Sequence, residues 1–189
     1  PICVAFDADH VYWRELDPAS GDYRLYRLRP SSGRPVSALP DEFSPRSRVH
    51  EYGGGEYLVQ DGVIFFSNDS DQRLYRYDMS GRLQALTPPS ATATGLRYAD
   101  FGLHQGNRWL AAVEEKHRRS GKPRNRLVIL DARNQGEPRF DVDHGAFVSS
   151  PRFHPEGTML AWLAWDPPQM PWDGTRLWLA AFDPSGTLR

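Results

Sequence analysis

The residues best suited to chemistry fall in three short segments, and none of the three completes a catalytic set. In VEEKHRRSGKPRN, from Val113 to Asn125, Glu114 and Glu115 are adjacent carboxylates of the kind that can hold a ligand's free amino group. Lys116, Arg118, Arg119, Lys122 and Arg124 surround them, so spacing alone favours a solvated charged hairpin. In RVHEYGGGEY, from Arg48 to Tyr57, three consecutive glycines follow Arg48, His50 and Glu51. Glycines weaken a strand unless another backbone approaches closely, which tight packing of an inner strand would explain. Arg48 and Glu51 read either as a local ion pair or as groups near the mouth of a channel. In WLAWDPPQMPWDGTRLW, from Trp162 to Trp178, three prolines stiffen a loop that carries Trp165, Met170 and Trp172. Such a loop either contacts a partner or folds back on its own sheet. The candidate binding residues are therefore Arg48, Glu51, Glu114, Glu115, Trp165 and Trp172.

No catalytic residue is assigned. The chain has no GxSxG elbow, no HExxH, no P-loop and no GxGxxG after a strand. The histidines at 10, 50, 104, 117, 144 and 154 share no metal-ligand spacing, so neither a metal site nor a cofactor is expected. His10, His104 and His154 fall in or beside the same turn of a repeat, which favours a structural or solvent-facing role.

That repeat defines the elements that must position these groups. An Arg-Leu pair opens a short apolar run at Arg24, Arg73, Arg126 and Arg176, at intervals of 49, 53 and 50 residues. Each run is followed by a turn containing glycine: Gly33, Gly81, Gly136 and Gly186. Each is preceded by a second apolar segment, at Val11, Val63, Trp109 and Met159, itself introduced by a polar turn and an extended stretch. Runs this short, rich in Val, Leu, Tyr, Trp and Phe, are strands rather than helices. Four strands in about 50 residues make one blade of a β-propeller. A β-sandwich would not repeat the same run and the same turn at a near-constant interval. The expected fold is all-β, with four four-stranded blades at about 1–40, 48–89, 96–142 and 147–189. It reads as part of a larger ring cut at blade boundaries, with Pro1 at a processing boundary. The bare flanks of such a piece invite self-association.

Composition narrows the function further. Hydrophobic residues at 39% and charged residues at 25% suit a folded globular protein and exclude a disordered one. A net charge of −1 argues against nucleic acid, which needs a concentrated basic face. The longest strongly apolar run, Met159 to Trp165, is too short to span a bilayer, and no signal-peptide pattern opens the chain. A single cysteine, Cys3, excludes an intrachain disulfide and fits a reducing compartment, so a cytoplasmic location is expected.

In order along the chain, RVHEYGGG, FSNDSDQRLYR, RYAD, SSPRFHPEGTMLAWLAWD and MPWDGTRLW resemble the propeller of prolyl oligopeptidase-family serine peptidases, most nearly the acylaminoacyl peptidase and dipeptidyl aminopeptidase branch. The resemblance runs from about Val11 to Leu188. Where that family usually has Arg-Glu-Asp-His and Asp-His-Pro-Asn-Met-Pro-Trp, this chain reads VEEKH and DPPQMPW. The resemblance implies an α/β-hydrolase domain as the propeller's partner, carrying a Ser-Asp-His triad outside this sequence. It further implies that the propeller caps that site, filters short peptides by size and helps hold their amino-terminal end. On that reading the fragment alone is inactive. A non-catalytic propeller serving as a protein-docking scaffold is the alternative, and an enzyme with its site in the channel finds no acid-base or metal constellation to support it.

Overall fold

The computed structural model describes residues 2–31, 33–90, 95–118, 121–142, 146–183 and 185–189. Pro1, Arg119 and His144, which enter the sequence reading, lie outside the described residues.

Short alternating runs become antiparallel strands with no helix among the described residues. The first sheet comprises β1 (Ile2–Asp7), β2 (His10–Leu16), β3 (Tyr23–Leu28) and β4 (Val36–Ser37), and the second β5 (Tyr57–Gln60), β6 (Val63–Ser67), β7 (Leu74–Asp78) and β8 (Leu83–Ala85). The third comprises β9 (Leu96–Leu103), β10 (Trp109–Lys116), β11 (Arg124–Asp131) and β12 (Phe140–Val142), and the fourth β13 (Phe147–Phe153), β14 (Met159–Trp165) and β15 (Arg176–Ala181). Strand order in every sheet follows the sequence. In the fourth sheet a bridge between Phe182 and Leu188 stands where a fourth strand would pair. The Arg-Leu runs lie at the third strand of each sheet, as their spacing predicts.

The first strands form the inner row: β1 lies against β5, β5 against β9, and β9 against β13. Each inner strand carries one residue in the left-handed region at the same place, namely Cys3 (φ 55°), Asp100 (58°) and Ser150 (56°), with Gly55 (58°) just ahead of β5. Pairing registers shift beside Cys3, Asp100 and Ser150, as a bulge with a left-handed first residue requires. The bulges also tie neighbouring sheets together: the Asp100 amide donates to the Gly55 carbonyl at 2.8 Å, and the Ser150 amide donates to the Asp100 carboxylate.

Three apolar layers between successive sheets form the core. Strand β10 is covered on both sides. Leu110 and Ala112 pack towards the second sheet with Phe65 and Leu74, while Trp109, Ala111 and Val113 pack towards the fourth with Leu160 and Trp162. Side chains alternate across a strand, so the next two residues of β10 also part company. The site depends on that parting.

The glycine segment is not an inner strand. Residues 49–52 form a turn, and 53–56 are an irregular passage leading into β5, with Gly53, Gly54 and Gly55 all at positive φ. His50 (φ 56°) and Glu51 (φ 67°) are themselves left-handed. The close backbone approach expected of the glycines is real but comes from this crossing: a Cβ on Gly53 would lie 2.4 Å from the Ser47 carbonyl oxygen, and one on Gly55 2.6 Å from Asp100 Cα.

Candidate functional site

Two cross-strand rows define the site. On one face of the third sheet Tyr98, Glu114 and Arg126 are directly opposite one another; on the other face stand Arg97, Glu115 and Asn125. Glu114 is buried and closed off. Arg126 donates to its Oε1 from Nε at 2.7 Å and from Nη2 at 2.6 Å, and the Tyr98 hydroxyl donates to Oε2 at 3.0 Å. Burial, with the Glu114 charge second, pushes the Tyr98 hydroxyl far above its ordinary range and keeps it a donor.

Glu115 is also buried, yet its neighbours are chemically different. The His50 backbone amide donates to Oε2 at 2.9 Å, while Arg97 Nη1 (3.1 Å) and His117 Nε2 (2.6 Å) meet Oε1. The same Arg97 nitrogen reaches Glu51 Oε1 at 2.8 Å and donates to the Arg48 carbonyl at 2.6 Å. Two carboxylates thus share one guanidinium. Arg97 holds the exposed Glu51 carboxyl below its usual range. Ligand atoms of Glu51, Glu115 and His117 come within 4.8 Å of one another, as a metal site would need. Arg97 Nη1 already sits on Oε1 of both carboxylates, and His117 Nε2 faces Glu115 Oε1, so these atoms are engaged with one another as a hydrogen-bonded cluster rather than set out as free metal ligands.

A cavity of about 610 Å³ opens beside this row, walled by His50, Glu51, Glu115, Asn125, Phe147 and Pro167. Asn125 is buried and donates to the Ala146 carbonyl at 2.9 Å. Phe147 and Trp165 are stacked at 5.5 Å, and the His50 ring meets both edge-on at 5.0 and 6.0 Å. A second cavity of about 270 Å³ lies across His50, walled by Tyr52, Asp100, Ser149, Trp165 and Pro171. Burial lowers the His50 imidazole below its usual range, against an opposite pull from Glu115, Asn125 and Asp100.

The structure therefore brings Glu115 and Glu51 together at the first cavity, places Trp165 in the second cavity across His50, and sets three candidates apart. Glu114 faces the second sheet. Arg48 pairs with Asp69, at 3.0 Å from Nε and 2.9 Å from Nη2, rather than with Glu51. Trp172 is exposed and does not line either cavity. The expected solvated hairpin is also corrected: both glutamates lie inside β10 and are buried, because the strand runs on to Lys116 beneath the crossing of residues 48–55. Sequence reasoning left Arg97, Asn125, His117 and Phe147 out of the site. A hairpin centred on residue 120 would have placed Asn125 opposite Glu115, but Arg97 needed the register of β9. His104 and His154 are turn residues, as expected: their Nδ1 atoms accept from the Gly106 and Glu156 amides.

The blades superpose on a Mycobacterium tuberculosis puromycin-hydrolysing peptidase with a TM-score of 0.86 and 33% identity over 98% of this chain. This chain matches the propeller part of prolyl oligopeptidase-family peptidases. A second member, described as a puromycin hydrolase, gives 0.86 and 32% over the same share. The chain spans only 30% and 31% of those two proteins. The tricorn protease, at 14% identity and a TM-score of 0.59 over 93% of this chain and 17% of its own, shares the fold alone. No family model matches the sequence, and no curated protein matches it. No helix among the described residues is long and apolar enough to cross a membrane.

Proposed function

We propose that this propeller admits and orients short peptides for an α/β-hydrolase domain of the same full-length chain, in the manner of an acylaminoacyl or dipeptidyl aminopeptidase. It holds the peptide's free amino group at Glu115 and Glu51. One observation carries the reading. Glu115 is a buried carboxylate at the wall of a cavity, and it shares the Arg97 guanidinium with a second carboxylate, Glu51. An ammonium group brings donors and positive charge to that shared negative charge. Phe147, which lines the same cavity and is backed by the stacked Trp165 ring, offers an apolar surface for the first side chain. Two similar proteins are described as acting on puromycin, which makes it a second probe. The active site itself would belong to the hydrolase domain, where an acyl-enzyme forms on a serine.

Lys122 lines the same cavity from the β10–β11 hairpin and competes for the carboxylates. The test is calorimetric titration of the chain with a short peptide and with its N-acetylated form. Binding of the free-amino form only, weakened at least about tenfold by Glu115→Gln and strengthened by Lys122→Ala, is the expected result. Equal binding of both forms would end the amine reading. The competing reading is a docking propeller without catalysis, favoured by the exposed Met170 and Trp172 on the loop that follows β14. That reading requires the cavity to bind neither peptide.

A further inference from the structure

The turns at the end of the sheets away from Glu115 enclose a cleft of about 330 Å³ between the second and third sheets. Three arginines line it from separate segments: Arg76 on β7, Arg82 in the β7–β8 turn and Arg133 just past β11. Asn107 lines it from the turn before β10, whereas Glu115 stands near the other end of that strand. At about 3.3 Å per residue, roughly 20 Å of strand separates the cleft from the cavity beside Glu115.

The acceptors in the walls are already taken. Asp78 Oδ1 accepts from the Ser80 hydroxyl and amide and from the Arg82 amide, and its Oδ2 accepts from Arg76 Nη1 at 3.1 Å. Asp61 Oδ2 accepts from Asn107 Nδ2 at 2.8 Å, and Asn107 Oδ1 accepts from Gln60 Nε2 at 3.2 Å. These bonds tie a turn of one sheet to a turn of the next and fix the shape of the cleft. Arg133 is pinned by its own donors, with Nε on the Asn107 carbonyl at 3.2 Å and Nη2 on the Gly106 carbonyl at 3.0 Å. A guanidinium carries five N–H donors. Arg76 therefore keeps Nη2 to spare and Arg133 keeps Nη1, and the Arg82 guanidinium has no hydrogen-bond or ion-pair partner among the described residues. Three guanidiniums thus stand against two carboxylates that are both engaged. Val63 and Leu103, each partly buried, add an apolar patch to the lining.

We propose that this cleft binds a small organic phosphate, with its phosphoryl oxygens on Arg76, Arg82 and Arg133 and its carbon body against Val63 and Leu103. A phosphate monoester carries a charge of about −2 near neutral pH and three strong acceptor oxygens. Arginine forks meet such oxygens two at a time. A carboxylate brings one charge and two oxygens, fewer than guanidiniums from three segments can use. Neither Glu115 nor His50 lines the cleft, so the proposal does not rest on the peptide-binding reading.

The test is calorimetric titration of the chain with phenyl phosphate and with benzoate, at constant ionic strength and pH 7.5. One phenyl phosphate should bind per chain, at least about tenfold more tightly than benzoate. Arg82→Gln and Arg133→Gln, both at exposed positions, should each weaken phenyl phosphate at least about tenfold and leave the circular dichroism spectrum unchanged. Arg34→Gln, also exposed but outside the cleft, removes the same charge and should leave binding as it was. No binding of phenyl phosphate, or benzoate binding as tightly, would overturn the proposal. Binding that survives both cleft substitutions, or that Arg34→Gln weakens as much, would overturn it equally, because attraction to overall charge would then account for it.

Discussion

Glu114 and Glu115 are neighbours in the chain and end on opposite faces of the third sheet, one sealed by Arg126 and Tyr98, the other opening beside His50 onto the cavity of about 610 Å³. Adjacent carboxylates therefore have separate tasks. Glu114 links three strands of one sheet; Glu115 links that sheet to the crossing of residues 48–55. Glu114→Ala leaves Arg126 facing an apolar layer without its carboxylate and should cost about 3 kcal/mol, read by urea denaturation. Glu115→Gln keeps the shape and the acceptor oxygen, so it should cost less stability while abolishing preference for a free amino group. Equal loss of stability in both variants would contradict the division.

Gly55 is predicted to tolerate no side chain. Its φ of 58° strains any L residue, and a Cβ would press on Asp100 Cα at 2.6 Å. Gly21, at φ 78° with open space around it, carries only the conformational cost. Gly21→Asn should change the denaturation midpoint little, because asparagine accepts the left-handed region. Gly55→Ala should destabilise by about 2 kcal/mol or more, since strain and overlap add.

Arg14 and Glu56 form a buried ion pair at 2.9 Å between the first and second sheets, and Arg14 also lies over the Tyr23 ring at 4.0 Å. Glu56→Ala strands the guanidinium between sheets and should lower stability by about 3 kcal/mol. The double change Arg14→Met with Glu56→Leu should recover most of it, because a well-packed apolar pair removes two desolvated charges. Chemical denaturation of the three proteins would show the order.

His50 gives a pH dependence with a definite sign. Its folded pKa lies below the unfolded value, chiefly through burial, so the unfolded chain binds the proton more readily. This contribution is present above the unfolded pKa of about 6.5 and is lost as pH falls below it towards the folded value. Stability of the chain should therefore drop on going from pH 7 to pH 5.5, and His50→Gln should flatten that part of the curve. A curve of unchanged slope in the variant would assign the dependence to other groups.

The sequence by itself determined the repeat. Apolar alternation, the four Arg-Leu runs and the glycine turns act within a few residues of each other, so strand identity, strand order and the number of sheets are local consequences of the chain. It also marked Glu115, Glu51 and Trp165 as groups worth watching. Only the tertiary structure decided which of the marked residues act together. Arg97, Glu115 and Asn125 form one row because two separate pairings of β10 share a register, and register depends on burial of whole faces rather than on any one residue. The glycine segment reads as a strand until the crossing is seen, since the contact that demands a glycine at position 55 lies 45 positions away at Asp100. Burial of the two glutamates under that crossing likewise came from parts of the chain too distant for local pattern to join.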